Sequence, residues 1–297
     1  MGATLGMGTA DCPPALRAEL LRFVSGQLSS GMFFASAVMG PTLYARLRGT
    51  ADTAKDALRA GSPLVARTPL AARAHNLARV EVWLADLVAA RRADPVDGPD
   101  ALSRLIAEGD AFSDTDVVQQ LLTLLIAGHD TTSLALSWVA AQLMARPALL
   151  AEVVAEAVAC EAPESAAVAL PLLSSVVQES LRFTPGAAVA PRRLLVDKVI
   201  AGETIRAGTV VAANVIGAHS RVETWGDPEV FRPARFREGP PAANTFFPFG
   251  GGLRRCLGAA FAQAEMPLVL AVLLRSWAFS PVTRLAPIPS IHGFLIG

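Results

Sequence analysis

The chain has 297 residues with 26 basic and 26 acidic side chains, so its formal net charge is zero when His is neutral. Hydrophobic residues make up 52% of the sequence and charged residues 18%, which is too apolar for a disordered chain. The lack of a basic excess argues against a nucleic-acid-binding protein. Three widely spaced cysteines, Cys12, Cys160 and Cys256, predict neither a disulfide framework nor a zinc site of paired cysteines.

The N-terminal region shows no targeting pattern. Residues 1–16 carry no Lys or Arg ahead of an apolar stretch, unlike a secretory signal peptide. The apolar stretch at 31–45 is interrupted by Gly40 and Pro41 and falls short of the roughly 20 residues that span a bilayer. We therefore expect a cytoplasmic protein without a membrane span.

Helical periodicity dominates the sequence. Apolar positions recur at three- and four-residue spacing in 14–30 and 70–93, and this spacing predicts two helices. Residues 94–100 have the composition of a loop, and a short helix over 101–108 leads to a turn at Gly109. Further helices are expected over 148–160, 170–183 and 257–275.

Two features interrupt this helical pattern. Short β-branched runs within 189–217, separated by Gly202 and Gly208, predict a small hairpin-rich sheet. Pro267 predicts a kink in the helix at 257–275. The expected fold class is mainly α with a small β region, in one domain over 1–297.

A long apolar helix is predicted in the middle of the chain. Ser113 and Asp116 resemble a capping box, and the helix can run from there to Arg146, before Pro147. Its length of roughly 50 Å would take it across a domain. Within it, the run AGHDTT (127–132) contains poor helix formers whose side chains compete for backbone hydrogen bonds. We expect a local distortion that could relay protons, or else a polar notch against another helix.

Cys256 follows three consecutive glycines in the run FGGGLRRCLG (249–258). The glycines permit a tight turn and close approach of the backbone to another group. The predicted helix start just after the cysteine favours a thiolate. This thiolate could be a nucleophile, although no histidine is tied to it by spacing. It could instead ligate a haem iron, whose porphyrin supplies four other ligands, or be a buried structural cysteine.

Glu179 and Arg182 are spaced to share one helix face. Their apolar neighbours predict that the pair is buried, and a buried pair needs further partners to offset desolvation. Arg235 could supply them through bidentate bonds to the Glu179 carboxylate. His219 and His292 are expected to be ordinary loop histidines, and Cys12 and Cys160 inert thiols.

These residues together resemble the cytochrome P450 family. Four motifs occur in the family's order: AGHDTT at 127–132, ESLR at 179–182, the W-x-D-P-x-x-F-x-P-x-R-F run at 225–236, and the FGGGLRRCLG run at 249–258. The resemblance covers about 113–282, from the central helix through the cysteine motif and the helix after it. It implies the cytochrome P450 fold, with 1–112 as partial distal helices and the fold incomplete at its N-terminal side.

The resemblance also implies a chemistry. The protein would be a haem-thiolate monooxygenase that inserts one oxygen atom of O2 into a small apolar organic substrate, while the second atom leaves as water. Two electrons would come from a donor such as a ferredoxin or a flavin reductase, and the cofactor would be haem b. The alternatives are a truncated, inactive remnant or helical binding protein, and a peroxide-driven haem enzyme. In the family an acid–alcohol pair, here Asp130 and Thr131, delivers protons to dioxygen, and its presence argues against the peroxide-driven enzyme.

The resemblance assigns roles to particular residues. Cys256 would be the proximal iron ligand. Asp130 and Thr131 would deliver protons to dioxygen, and Glu179, Arg182 and Arg235 would form a structural triad. The other haem-binding residues would be Phe249, Gly252, Arg254, Gly258 and Arg192, with Arg254 and Arg192 on the propionates. The expected substrate pocket comprises Leu124, Leu125, Gly128, Ala187, Ala188, Val189 and Ala190.

The sequence departs from the family pattern ahead of the central helix. Only 112 residues precede Ser113, fewer than the family usually has there, so we expect a chain shortened at its N-terminus. No Trp-x-x-x-Arg pair occurs in this part; Trp83 is followed four residues later by Leu87. In the family, the helix with that pair clamps a propionate.

Overall fold

The computed structural model describes residues 69–160, 170–279, 291–292 and 295–296. The helix predicted over 14–30 and Cys12 lie outside these residues. The chain divides into two compact units, one ending at Asp130 and the other beginning at Thr131. The single domain expected from the sequence stays a prediction.

The described part of the first unit, from residue 69 onward, is helical. It contains α1 (Pro69–Ala93), α2 (Ala101–Ala107), a 3-10 turn (Gly109–Ala111) and the start of α3 (Asp114–Met144), which confirms the predicted helices and the loop before α2. The Arg92 side chain donates to Asp114 Oδ1 at 2.6 Å and so connects α1 to α3. Apolar side chains of the helices form one buried cluster: Val80, Leu84, Val88, Leu102, Val117, Val118, Leu121, Leu122 and Leu125.

The ends of α3 follow from local sequence. The capping box is confirmed, since the Ser113 N–H donates to Asp116 Oδ2 at 3.0 Å and the Asp116 N–H donates to Ser113 Oγ at 3.2 Å. The helix ends at Met144, two residues before the predicted end at Arg146. A residue that precedes proline is disfavoured in the helical conformation, and Arg146 before Pro147 has φ −134° and ψ 78°.

Helix α3 is continuous through the run at 127–132. Helix propagation adds one hydrogen bond per residue once a nucleus has formed, and residues 114–126 of α3 precede this run. Hydroxyl side chains also fit within this helix: Ser137 Oγ donates to the Ser133 carbonyl at 2.8 Å. The local distortion expected in the run stays a prediction.

The described residues of the second unit form three long helices besides its part of α3. These are α4 (Pro147–Ala159), α5 (Pro171–Phe183) and α9 (Ala259–Ser276), close to the predicted bounds. Their buried cluster includes Val139, Leu143, Val153, Leu173, Val176, Phe231, Met266 and Leu270. Glu156 of α4 accepts the Leu172 and Leu173 N–H groups at 2.8 Å, so a carboxylate lies at the N-terminus of α5, where the helix dipole favours negative charge.

The predicted hairpins are confirmed. Strand β1 (Val189–Arg193) pairs antiparallel with β4 (Val210–Asn214), with Val189 opposite Asn214. Strand β2 (Lys198–Ile200) pairs with β3 (Glu203–Ile205) across Ala201 and Gly202, whose φ values are 53° and 87°. Positive φ at both central residues is typical of a two-residue hairpin turn.

Short elements connect this sheet to α9. They are α6 (Val215–His219), α7 (Val222–Trp225), α8 (Arg235–Glu238) and a 3-10 turn (Gly252–Arg254). Near the C-terminus β5 (Ile291–His292) pairs with β6 (Leu295–Ile296).

Helix α9 is long and apolar enough to cross a membrane by length and composition. The helices α3 and α4 meet the same criterion as a pair, but they are bent by 116° at their junction. Core helices of soluble proteins also meet it, and α9 contributes Met266, Leu270 and Leu274 to the buried cluster. The helix continues through Pro267, and the kink expected there stays a prediction.

Candidate functional site

The cysteine loop (residues 249–258) is held by its own backbone. The Cys256 N–H donates to the Phe249 carbonyl at 2.9 Å, and the Arg255 N–H donates to Gly252 at 3.1 Å. Gly250 and Gly252 have φ of 68° and 66°, a region that other residues enter at a cost. The glycines therefore allow a turn that places Cys256 just before α9.

Apolar side chains of this loop are exposed beside its arginines. The Cys256 thiol is exposed, and it is flanked in sequence by Leu253, which is fully exposed, and Leu257, which is 87% exposed. A Cβ added at Gly252 or Gly258 would meet no atom within 4 Å. This arrangement fits a flat apolar group bound against the loop with a metal on the sulfur, as haem would be.

Helix α9 begins shortly after Cys256. The helix begins at Ala259, and its N-cap residue Gly258 makes no side-chain cap bond. The first N–H groups of a helix and its dipole stabilise an anion placed before it. Gly258 has φ −81°, so its backbone conformation does not itself require glycine.

The same unit also contains a buried charged network. Glu179 is 0% exposed and Arg182 2%, as the sequence predicted. Arg182 donates to both oxygens of Glu179, from Nε at 2.8 Å and from Nη2 at 2.9 Å. The Arg232 N–H also donates to Glu179 Oε1 at 2.8 Å. The carboxylate is thus satisfied on both oxygens, which a buried ion requires.

Arg235 joins this network differently from the prediction. It makes one hydrogen bond to Glu179, from Nε at 3.3 Å, and not a bidentate pair. Its terminal nitrogens donate to the carbonyls of Trp225, Asp227 and Val230. Arg235 therefore also fixes the backbone of the 225–230 segment, whose carbonyls converge on the guanidinium.

His219 was expected to be an ordinary loop histidine, and this was wrong. It ends α6 and is 1% exposed. Its carbonyl accepts from Arg182 Nη1 at 2.9 Å, and its Nε2 accepts from the Phe247 N–H at 3.1 Å. Burial lowers the pKa of His219 to about 4; a hydrogen bond with the Arg182 backbone opposes this shift, and the Arg182 cation adds to it. No sequence periodicity marks this residue, because long-range packing determines its position.

The proposed acid–alcohol pair lies on α3. The Asp130 side chain is 20% exposed, and its Oδ1 lies 3.9 Å from His129 Nε2. Desolvation raises the pKa of Asp130 above its ordinary value, and His129 partly opposes this. His129, which the sequence left without a role, is thus the neighbour of this carboxyl. Thr131 follows it and is half-buried.

The two predicted propionate ligands differ in surroundings. Arg192 on β1 is exposed, and its Nη1 donates to the Pro191 carbonyl at 2.7 Å. Arg254 is exposed in the cysteine loop. Within the described ranges, no three His, Cys, Asp or Glu side chains group closely enough to hold a metal ion.

The predicted pocket residues fall into two groups. In the first unit, Leu125 is 5% exposed and belongs to the buried cluster, and Leu124 packs against it. Gly128 is half-buried. In the second unit, Ala188 is buried together with Trp138, and its neighbours Ala187, Val189 and Ala190 are half-buried. Their role in a pocket stays a prediction.

Comparison with known proteins places these motifs in one family. The model of the family described as cytochrome P450 matches residues 73–296. Two curated Mycobacterium tuberculosis proteins, provisionally named cytochrome P450 137 and cytochrome P450 135A1, are 36% and 35% identical to the chain. The alignments cover 71% and 69% of this chain but 44% and 45% of those proteins. The chain therefore spans less than half the length of these curated relatives.

Solved structures show the same fold. The crystal structure of the cytochrome P450DA haem domain matches 94% of this chain and 58% of that chain, with a TM-score of 0.72 and 23% identity. Another cytochrome P450 crystal structure matches 75% of this chain and 54% of that chain, with a TM-score of 0.64 and 28% identity. These matches confirm the mainly α fold with a small β region. Together with the family match over 73–296, they show that the chain belongs to the cytochrome P450 family.

Proposed function

We propose that this chain binds haem b through Cys256 and acts as a haem-thiolate monooxygenase. The observation that carries the proposal is the exposed thiol between two exposed leucines on a hydrogen-bonded glycine loop. One oxygen atom of O2 would enter a small apolar organic substrate, and the other would leave as water. A ferredoxin or a flavin reductase would supply the two electrons, and the protein would act in the cytoplasm.

The cysteine loop supplies the binding groups. Cys256 would donate its thiolate to the iron, and Leu253 and Leu257 would bury their exposed side chains against the macrocycle, which favours binding by the apolar area removed from water. Arg254 would pair with a propionate, as would Arg192. When bound, the haem supplies an iron centre that activates dioxygen, and electron donation by the thiolate favours cleavage of the O–O bond.

Asp130 and Thr131 would supply protons. A carboxyl whose pKa is raised by desolvation holds a proton more readily near neutral pH than an exposed one, and it can release it to a neighbouring group. The Thr131 hydroxyl can accept one hydrogen bond while it donates another. Asp130 would therefore hold a proton at its carboxyl, and the Thr131 hydroxyl would pass it on through its hydrogen bonds.

The apolar residues predicted for the pocket would hold the substrate. The small side chains Ala187, Ala188 and Ala190 would leave space for it, and the other residues expected in the lining are all apolar. Few polar groups in such a lining favour an apolar ligand. The Glu179, Arg182 and Arg235 network would support the loop without taking part in the chemistry.

Haem uptake by the full chain tests the proposal. Wild-type protein supplied with haem should bind one equivalent, and its reduced carbon monoxide complex should show the red-shifted Soret band of thiolate ligation. Cys256→Ala should abolish that band. Cys160→Ala is the matched control because it removes the other described thiol, which is buried, and it should leave the band in place.

Two outcomes would contradict the proposal. Folded wild-type protein that stays colourless would support the inactive remnant instead. Equal haem uptake with an identical band in Cys256→Ala would remove the assignment of the ligand.

A further inference from the structure

The buried charged network and the cysteine loop meet at one residue, His219. Its carbonyl accepts from Arg182 Nη1 at 2.9 Å, and its imidazole Nε2 accepts from the Phe247 N–H at 3.1 Å. Two different groups of one residue thus bind the network on one side and the chain entering the loop on the other.

The imidazole is held in a single position by its surroundings. Its centroid lies 5.3 Å from that of Phe246, 5.5 Å from Phe247 and 6.3 Å from Trp225. The preceding turn of α6 is fixed as well, since Asn214 Oδ1 accepts the Gly217 N–H at 2.8 Å. A ring packed in this way presents its Nε2 lone pair in a defined direction.

Phe247 leads directly into the cysteine loop. Its carbonyl accepts from the Gly250 N–H at 2.9 Å, and the Phe249 carbonyl accepts from the Cys256 N–H at 2.9 Å. The hydrogen bond from Phe247 to His219 therefore anchors the first residue of a short series of backbone bonds that ends at Cys256.

The contact requires a neutral ring with its hydrogen on Nδ1. An Nε2 that accepts from an N–H carries no hydrogen, and a protonated ring would place two donors against each other. The other ring nitrogen, Nδ1, is buried, and the ring also interacts with the backbone of Arg182. The Phe247 N–H is thus bound by the one ring nitrogen that can accept a hydrogen bond.

We propose that His219 is a positioning residue that fixes the cysteine loop to the Glu179–Arg182 network through the Phe247 N–H. For its effect on iron ligation, this inference depends on the proposed haem function. Its effect on the loop does not, because the contacts lie entirely within the chain.

Amide hydrogen exchange of the haem-free full chain tests the positioning directly. His219→Phe keeps an aromatic ring but removes the acceptor, so the amides of Phe247, Gly250 and Cys256 should exchange roughly tenfold faster. The amides of α5 from Val176 to Leu181 should keep their wild-type rates. His219→Gln, which can place an acceptor near the position of Nε2, should restore most of the protection.

The same variants have a second readout once haem is supplied. His219→Phe should transfer haem to an acceptor apoprotein faster than wild type, with a smaller thiolate-ligated fraction in the reduced carbon monoxide complex, and His219→Gln should behave like wild type. Failure of wild-type protein to bind haem would overturn the proposed function. The exchange rates of the haem-free chain would still decide whether His219 positions the cysteine loop.

Three exchange results would overturn the inference. The first is an unchanged exchange rate of the loop amides in His219→Phe. The second is an equal acceleration of exchange in the loop and in α5, which would indicate general destabilisation. The third is a His219→Gln variant whose loop amides exchange as fast as those of His219→Phe.

Discussion

The charged network around Glu179 and the cysteine loop lie in one unit but differ in burial: the network buries charged groups, and the loop exposes apolar ones. In the network, ions are removed from water and every oxygen of the carboxylate is bonded. In the loop, the side chains of Leu253, Leu257 and Cys256 are exposed to solvent. Backbone hydrogen bonds fix the loop that carries them. The first region is complete within the chain, whereas the second presents surface for another group. Stability should therefore depend on the network, and ligand binding on the loop.

The largest expected effect is on the network. Glu179→Gln removes the negative charge and leaves Arg182 and Arg235 buried without an anion, so the free energy of unfolding should fall by about 3–5 kcal/mol. Urea unfolding measures this. The control is Glu238→Gln, whose exposed carboxylate accepts from Arg232 at 2.8 Å and should contribute less than about 1 kcal/mol. Equal decreases in the free energy of unfolding of the two variants would show that the buried network does not stabilise the fold more than an exposed ion pair does.

The pH dependence of His219 should give the next largest effect. Its pKa of about 4 in the folded protein lies below the ordinary 6.5, so the unfolded chain binds the proton more tightly. The stabilisation is present above pH 6.5 and is lost as the pH falls toward 4, by about 3 kcal/mol. The Arg182 cation contributes to this shift.

A difference measurement isolates this effect from the carboxylates that titrate nearby. The difference in unfolding free energy between wild type and His219→Gln should decrease between pH 7 and pH 4. A constant difference across this range would show that the ring does not titrate as described.

Conformational strain at the loop glycines should have a smaller effect. Gly252→Ala places a side chain at φ 66°, which should cost about 1–2 kcal/mol. Gly258→Ala, at φ −81°, should leave the unfolding free energy of the haem-free chain unchanged, yet it should weaken haem binding because its Cβ would enter the open space beside the loop. Thermal unfolding and haem titration of both variants separate the two effects.

The smallest effect on stability should come from the exposed leucines. Leu253→Ser and Leu257→Ser should change the unfolding free energy of the haem-free chain by no more than about 0.5 kcal/mol. With haem supplied, both should lose it faster than wild type, because less apolar surface is buried against it. A marked loss of stability in the haem-free variants would show that the leucines pack within the chain.

The sequence was sufficient to predict most elements and the burial of Glu179 and Arg182, because helix periodicity and the i,i+3 spacing are local properties. It was not sufficient for the hydrogen bonds of Arg235. Those bonds depend on where the carbonyls of Trp225, Asp227 and Val230 come to lie, which is decided by the path of a segment without regular structure.

Long-range contacts also explain why the burial of His219 was not predicted. The position of His219 depends on contacts with Arg182 and Phe247, which are 37 and 28 residues away in sequence. Only a folded chain brings these groups together.

Trp225 gives the molecule an internal optical probe. Its indole lies 5.4 Å from the Arg182 guanidinium and 6.3 Å from the His219 ring, and its Nε1–H donates to the Ala218 carbonyl at 3.1 Å. With Trp83, Trp138 and Trp277 replaced by phenylalanine, the remaining fluorescence would originate from this one indole. Without an added label, its emission would then report whether a change at His219 also alters the surroundings of Arg182.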